Sequence, residues 1–276
     1  MQTVIDGKEL ASDILAGVRE EVLHFKKNPE LVAIIIGSDP ASLSYLDAKR
    51  KKCEEVGIGY VLYQYDEKIT TTQLRKKISD VRKKRKHTSI IIELPLPGHI
   101  NTQYILDSIP PEKDPDMLSS RSWGLLATGK SAIFPPTAAA VIHILETSNV
   151  ELERSHVVLV GWGGLVGKPL SLILTKRVSS LTVIRSKTPD ISHFTREADI
   201  LITGAGKPNL ITGDMVKEGV VALDAGYSRM DGKVVGDLDF DSVSKKASTI
   251  TPVPGGIGPL TVALLLKNVL TLARDH

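Results

Sequence analysis

Three short stretches of the chain carry residue types and spacings that could do chemistry. The first, His156–Leu172, reads HVVLVGWGGLVGKPLSL. An apolar run enters glycines 161, 163, 164 and 167 and leaves in a helical pattern. Glycines there let the backbone approach a pyrophosphate, and free N–H groups at the start of the helix face its negative charge. The spacing is G-x-G-G-x-x-G rather than G-x-G-x-x-G, so the glycines alone leave a plain strand-to-helix turn open. The next apolar run ends in Arg185-Ser186-Lys187-Thr188, where an acidic residue would have favoured a ribose 2′-hydroxyl. Basic and hydroxyl groups suit a 2′-phosphate instead, which points to NADP, with NAD as the alternative.

The second stretch holds Tyr45 and Lys49, four apart on a segment of helical spacing and therefore on one face. A lysine in a cleft acts as an acid, a base or an electrostatic anchor, and its pKa falls when it is desolvated. The pair is also common on exposed helices, so spacing alone leaves that reading open. Short-chain dehydrogenases carry the same pair after the glycine turn; here it comes more than a hundred residues before it, which argues against them. The third stretch, Thr251–Thr261, reads TPVPGGIGPLT. Three glycines and three prolines in eleven residues exclude regular structure and suggest a stiff loop that a ligand can approach closely, with a rigid linker as the alternative. A long helix is expected directly after it, its N–H groups facing the same site.

Short apolar runs alternating with amphipathic stretches must position these residues. Leu31–Gly37, Gly59–Tyr65 and Ser89–Leu94 read as buried strands. Lys8–Phe25, Pro40–Val56 and Thr71–Lys86 carry helical spacing. Prolines 110, 111, 115, 135 and 136 with Gly129 mark a turn-rich connector over 109–136, followed by a helix over Thr137–Glu146. Strands resume at His156–Val160, Leu181–Arg185, Asp199–Thr203 and Val220–Asp224, and Gly258–Ala273 reads as a long apolar helix. This rhythm predicts two α/β units joined near residue 120, with a cleft between them as the default ligand site.

The bulk composition agrees with an ordinary soluble globular protein of two domains. The chain has 276 residues, 42% hydrophobic and 24% charged, with a net charge of +3. Basic clusters at Lys49–Lys52 and Arg82–Lys86 read as solvated helix faces rather than a nucleic-acid surface. A lone cysteine, Cys53, excludes an internal disulfide, makes structural zinc unexpected and suits a reducing compartment; no metal is expected. The N-terminus lacks a secretory or mitochondrial targeting pattern, and no apolar run is read as long enough to span a membrane. A cytoplasmic protein with neither nucleic-acid nor membrane partners is expected.

Beyond these features, the chain resembles the bifunctional methylenetetrahydrofolate dehydrogenase/methenyltetrahydrofolate cyclohydrolase family over nearly its whole length. Ala41–Ile58 resembles the family's Tyr/Lys helix, and Glu93–Asn101 (ELPLPGHIN) its Q-L-P-L-P-x-H-I-N signature. Lys113–Asp116 (KDPD) resembles K-D-V-D-G, and Val235–Phe240 and Thr251–Thr261 match the closing signatures. The resemblance implies an N-terminal α/β folate-binding domain, residues 1–120 plus 255–276. It also implies a Rossmann-like doubly wound dinucleotide-binding domain, residues 121–254, with the final helix returning to the first domain. It implies oxidation of 5,10-methylenetetrahydrofolate, then hydrolysis of the methenyl product to 10-formyltetrahydrofolate, by a homodimer. By position, Lys49 becomes the main catalytic group, Tyr45 stacks beside the pterin, and Asp116 holds the pterin nitrogens. Glu93 joins them at the reacting centre. Ile92, Leu94, Pro254, Gly255, Gly256, Ile257 and Gly258 line the folate pocket. Gly161, Trp162, Gly163, Gly164, Gly167, Arg185, Ser186 and Tyr227 bind the cofactor.

Several positions depart from the family pattern. Glu93 stands where glutamine is usual; a carboxylate favours charged Lys49, so weakened cyclohydrolase activity is expected. Trp162-Gly163 replace an Arg-Ser expected to hold the 2′-phosphate, and Arg185 is the candidate substitute. Met117 replaces a glycine, and Pro136, Ala138 and Ala140 replace the usual Cys, Pro and Gly around Thr137. The alternatives are a shikimate-dehydrogenase-like oxidoreductase, which leaves ELPLPGHIN and TPVPGGIGP unexplained, and a catalytically silent folate- or nucleotide-binding homologue.

Overall fold

The computed structural model describes residues 2–85, 88–148, 150–230 and 232–274. In chain order its elements begin with β1 (Thr3–Val4), α1 (Gly7–Val22), β2 (Glu30–Ile36), α2 (Pro40–Val56) and β3 (Gly59–Tyr65). Then come α3 (Thr71–Lys84), β4 (Thr88–Ile92), α4 (Thr102–Leu106), α5 (Ser120–Ala127) and α6 (Pro136–Thr147). The second half holds β5 (His156–Val160), α7 (Gly167–Leu174), β6 (Ser180–Ile184), α8 (Ile191–Thr195), β7 (Ile200–Thr203) and β8 (Val221–Asp224). A small hairpin of β9 (Ser228–Met230) and β10 (Lys233–Val235) follows, then α9 (Phe240–Val243), β11 (Thr249–Ile250) and α10 (Ile257–Arg274).

Residues 12–136 with 262–276 form one compact unit, and 1–11 with 137–261 the other. The chain passes between them inside α1, at 136–137 and inside α10. Pairing of Thr3 with Thr249 and of Val4 with Ile250 puts the first residues with the second half of the chain, where the sequence expectation kept them in the first domain. The passage at 136–137 also lies past the expected junction near 120, because α5 occupies the middle of the supposed connector. Ser119 caps α5, its Oγ accepting the Ser122 N–H at 3.2 Å.

The first of these units has a three-stranded parallel sheet in the order β3-β2-β4. The central strand β2, ELVAIII, is buried almost throughout, as a strand covered on both faces must be. Its core unites Val32 and Ile34 with Leu74 and Ile78 of α3 and Ile90 and Ile92 of β4. Helix α2 is closed at both ends: Asp39 Oδ2 accepts the Ser42 N–H at 2.8 Å, and Gly57 at φ +83 donates to the last carbonyls. Thr70 and Gln73 form a capping box for α3, which ends at Lys84; Lys86, expected in this helix, lies outside the described residues.

The second unit has six parallel strands in the order β1-β11-β8-β7-β5-β6. From β5 the chain crosses to β6 on one side and then to β7 on the other. The carboxyl end of β5 is therefore the topological switch point at which doubly wound sheets bind ligands. Helix α10 corrects one sequence reading: its 18 residues are long and apolar enough to cross a membrane, yet 61% of them are buried in the protein. That is the pattern of a core helix.

Candidate active site

In the three-stranded unit, α2 presents Leu46, Lys49, Cys53 and Val56 inward at helical spacing. The expectation that Lys49–Lys52 forms a solvated face fails at its first member. Arg50, Lys51 and Lys52 stand in solvent paired with Asp47, Glu54 or Glu55, whereas Lys49 is 6% exposed. A buried ammonium needs partners. Glu93 supplies one: its backbone N–H continues the β4–β2 ladder to Ile34 O, and its Oε2 lies 3.2 Å from Lys49 Nζ. Tyr45, one turn earlier, sets its ring 4.3 Å from the same ammonium. Burial works to lower the pKa of Lys49, but the charges of Asp116 and Glu93, with Tyr45, outweigh it and leave the group above 10.5.

Asp116 sits in a turn fixed by a neighbouring carboxylate. Buried Asp114 accepts the N–H groups of Leu118 and Ser119 and the Ser122 hydroxyl, at 2.7–3.2 Å. From α10, Asn268 donates to Pro115 O at 2.9 Å and to Phe134 O at 2.8 Å. Burial pushes the Asp116 carboxyl up to about 6, with the charges of Asp114 and Glu93 adding to this and Lys49 opposing it. Met117, standing where the family carries glycine, holds φ +56 and is 2% exposed. An L-residue in that region is strained, so its buried side chain is held there by the surrounding packing. Cys53, beside Lys49 on the helix, is buried and its thiol is pushed up to about 12, chiefly by burial, which keeps it protonated.

In the six-stranded unit, the switch point opens into a cavity of about 620 Å³. Of the expected cofactor residues, Gly161, Trp162, Gly163, Arg185 and Ser186 line it. Gly167 instead packs beneath the turn, where a Cβ would stand 2.0 Å from Gly161 O; Gly161, at φ +107, leaves equally little room against Gly204 O. Nothing stands within 4 Å of where a Cβ would be on Gly163 or Gly164, so their backbone is open. Tyr227 is 66% exposed and lies off the cavity wall.

The sequence reading missed much of the wall. Lys168, Lys207 and the Gly204–Ala205 backbone all line the cavity, together with Thr188 of the run already noted after β6. The loop after β7 is held by Asp237, whose carboxylate accepts the N–H groups of Ala205, Gly206 and Lys207 at 2.5–3.2 Å. Buried Asp224 in turn accepts from Asp237 N, Leu238 N, Gly226 N and the Thr203 hydroxyl. The only linear signal of this loop is Gly204-Ala205-Gly206-Lys207 directly after a strand. Arg185, Lys168 and Lys207 have no carboxylate within ion-pair distance among the described residues, and no acidic side chain lines the cavity. Open glycine backbone plus unmatched cations fits a phosphate-rich dinucleotide.

The Thr251–Thr261 segment is irregular only as far as Gly256; α10 begins inside it, at Ile257. Thr251 continues the sheet by donating to Ala222 O, and Gly255 adopts φ +112. Gly7 N donates to Gly255 O at 3.0 Å, and a Cβ on Gly7 would stand 1.7 Å from Gly256 O.

Comparison with known proteins agrees along the chain. Residues 5–116 match the family described as tetrahydrofolate dehydrogenase/cyclohydrolase, catalytic domain, and residues 135–276 match its NAD(P)-binding domain. A relative from Nautilia profundicola named Bifunctional protein FolD is 41% identical over 99% of this chain and 98% of its own. The structure of a bifunctional methylenetetrahydrofolate dehydrogenase/cyclohydrolase from Campylobacter jejuni superposes with a TM-score of 0.96 at 38% identity, covering 100% of this chain and 99% of that one. The Trypanosoma brucei enzyme, solved with NADP cofactor and an inhibitor, gives 0.94 at 35% identity, over 99% and 98% of the two chains. A chorismate mutase/shikimate 5-dehydrogenase fusion protein from Clostridium acetobutylicum reaches 0.54 at 11% identity, which shows a shared fold alone.

Proposed function

The chain belongs to the tetrahydrofolate dehydrogenase/cyclohydrolase family, and from that premise we propose that it oxidises 5,10-methylenetetrahydrofolate with NADP and hydrolyses the methenyl product to 10-formyltetrahydrofolate. The observation that carries this reading is the buried Lys49–Glu93 pair at 3.2 Å, with Asp116 acting on the same ammonium. A solvent-poor cation flanked by carboxylates is a costly arrangement that a purely structural helix does not need. NADP, when bound, supplies the hydride acceptor.

The chain's own residues do the rest. Lys49 assists proton movement and the attack of water on the methenyl carbon. Asp116, ionised at neutral pH, accepts hydrogen bonds from the pterin amino group and ring nitrogen, and Tyr45 stacks beside the ring. By the family resemblance, Ile92, Leu94 and Pro254–Gly258 belong to the folate-binding residues. Glycines 161, 163 and 164 meet the pyrophosphate through their backbone, with Arg185 and Ser186 at the 2′-phosphate and Tyr227 at the cofactor's edge. Glu93 keeps Lys49 charged, so the hydrolytic step is the slower of the two. The homodimer rests on the family resemblance and is tested by sedimentation. The single buried cysteine suits a reducing compartment such as the cytoplasm.

One spectrophotometric assay tests the reading. Purified protein is mixed with 5,10-methylenetetrahydrofolate and NADP, and reduced cofactor and methenyl product are followed together. Reduced cofactor with persistent methenyl product is expected. Absence of reduction with both NADP and NAD would replace this proposal with a silent binding protein. The shikimate-dehydrogenase-like alternative has only a shared fold behind it and is not carried forward.

A further inference from the structure

Trp162 is an exposed tryptophan on the loop that follows β5 and lines the cavity. Its surroundings account for it. Arg185, just beyond β6, sets its guanidinium carbon 5.3 Å from the ring centroid. Lys168, in the first turn of α7, sets its ammonium 5.2 Å from the same centroid. These cations come from different elements, and both line the cavity at the switch point. Neither is held by a carboxylate among the described residues, so the ring is the contact that gathers them. Two like charges on long, flexible side chains repel and disperse unless something holds them. An indole face attracts both without neutralising either, because its quadrupole carries no net charge. An aspartate or glutamate here would also collect the two side chains, but would use up the charge that a phosphate needs.

We infer that Trp162 is a positioning residue for cofactor selectivity, an aromatic platform that holds Arg185 and Lys168 for the 2′-phosphate of NADP. This rests on the NADP reading above. Trp162 acts through its neighbours: it carries no charge itself, and its removal leaves both cations in the chain but no longer gathered. A guanidinium stacked on a ring keeps its N–H groups directed outward along its own plane, the geometry that meets phosphate oxygens.

Calorimetric dissociation constants for adenosine 2′,5′-bisphosphate and for 5′-AMP test this without any turnover. The wild type, Trp162→Ala, Trp162→Phe, Arg185→Ala and the Trp162→Ala/Arg185→Ala pair would be compared. The wild type should prefer the bisphosphate, and Trp162→Ala should lower that preference by about fivefold or more while Trp162→Phe largely keeps it. Arg185→Ala should cost less preference in the Trp162→Ala background than in the wild type, since an ungathered arginine has less to lose. An unchanged preference in Trp162→Ala overturns the inference, including the case where both ligands weaken equally. So does an Arg185→Ala effect of equal size in both backgrounds. A wild type that binds neither nucleotide brings down the NADP reading itself, a result distinct from either of those.

Discussion

The two units handle positive charge in opposite ways. In the three-stranded unit a lone ammonium, Lys49, is buried against Glu93 and under the influence of Asp116. In the six-stranded unit Arg185, Lys168 and Lys207 stand around an open cavity with no carboxylate among the described residues to match them. The first arrangement fixes a charge in place before any ligand arrives, at the cost of desolvating it. The second keeps its cations hydrated until an anion arrives, so attraction is available for binding. A group that must act on a reacting carbon is suited by the first, and groups that must recognise a multiply charged ligand by the second. The backbones differ in the same sense. Gly161 takes φ +107 without strain, whereas Met117 is held at φ +56 beside Asp116.

The hardest test of this contrast is to delete the buried charge. Lys49→Met should lower kcat for both reactions by about 10²- to 10⁴-fold, and should leave cofactor affinity in the other unit little changed. Retention of near wild-type turnover would remove Lys49 from the chemistry. Glu93→Gln is the next largest effect. Replacing a carboxylate by a neutral acceptor lets Lys49 lose its proton more readily, so the ratio of cyclohydrolase to dehydrogenase activity should rise roughly tenfold. If methenyltetrahydrofolate is hydrolysed efficiently by the wild type and no better by the variant, Glu93 does not limit that step.

The pH dependence of folate binding is a smaller effect. Asp116 ionises at about 6, so KM for the folate should climb below that pH while KM for NADP stays level. A flat folate profile, or one that survives Asp116→Asn, would assign the titration to another group. The same raised pKa affects stability. Between 3.8 and about 6 the folded chain binds more protons at this position than the unfolded one. Asp116 therefore contributes most to stability below 3.8, and that contribution is lost as pH rises through about 6. Lys49 behaves differently: its pKa is raised above 10.5, so its ion pairing contributes fully below that value and is lost only as pH rises beyond it.

The smallest effect is expected from Met117→Gly. Relief of the left-handed backbone returns about 1–2 kcal/mol, but loss of a buried methionine costs about 2–5 kcal/mol. Denaturant unfolding should show a net loss of about 1–3 kcal/mol. A stabilised variant would mean that the strain outweighs the packing.

Much of this protein is determined locally, and so can be read from the linear chain. Strands β3 and β5 and helix α2 match the expected bounds at both ends, because apolar periodicity, Pro40 at a helix start and Gly57 past its end are signals between near neighbours. The glycine turn and the Tyr45/Lys49 helix are likewise short-range patterns. The pairing of β1 with β11 was not legible, since two-residue strands carry no periodicity and their partners lie at opposite ends of the chain. Helix α5 was hidden by the prolines and the glycine around it.

Charge state and grouping are where only the tertiary structure decided. Nothing in the run Lys49-Arg50-Lys51-Lys52 distinguishes its members; packing of α2 against the sheet turns one inward and leaves three in water. Nor does the sequence place Lys168, Arg185 and Lys207 around one cavity, because they follow three different strands and meet only where the strand order reverses. Propensity and periodicity act between residues a few positions apart, so the sequence alone determined the elements. Desolvation and Coulomb interactions depend on distance in space, so pKa values and ligand-facing charge were settled only by the fold.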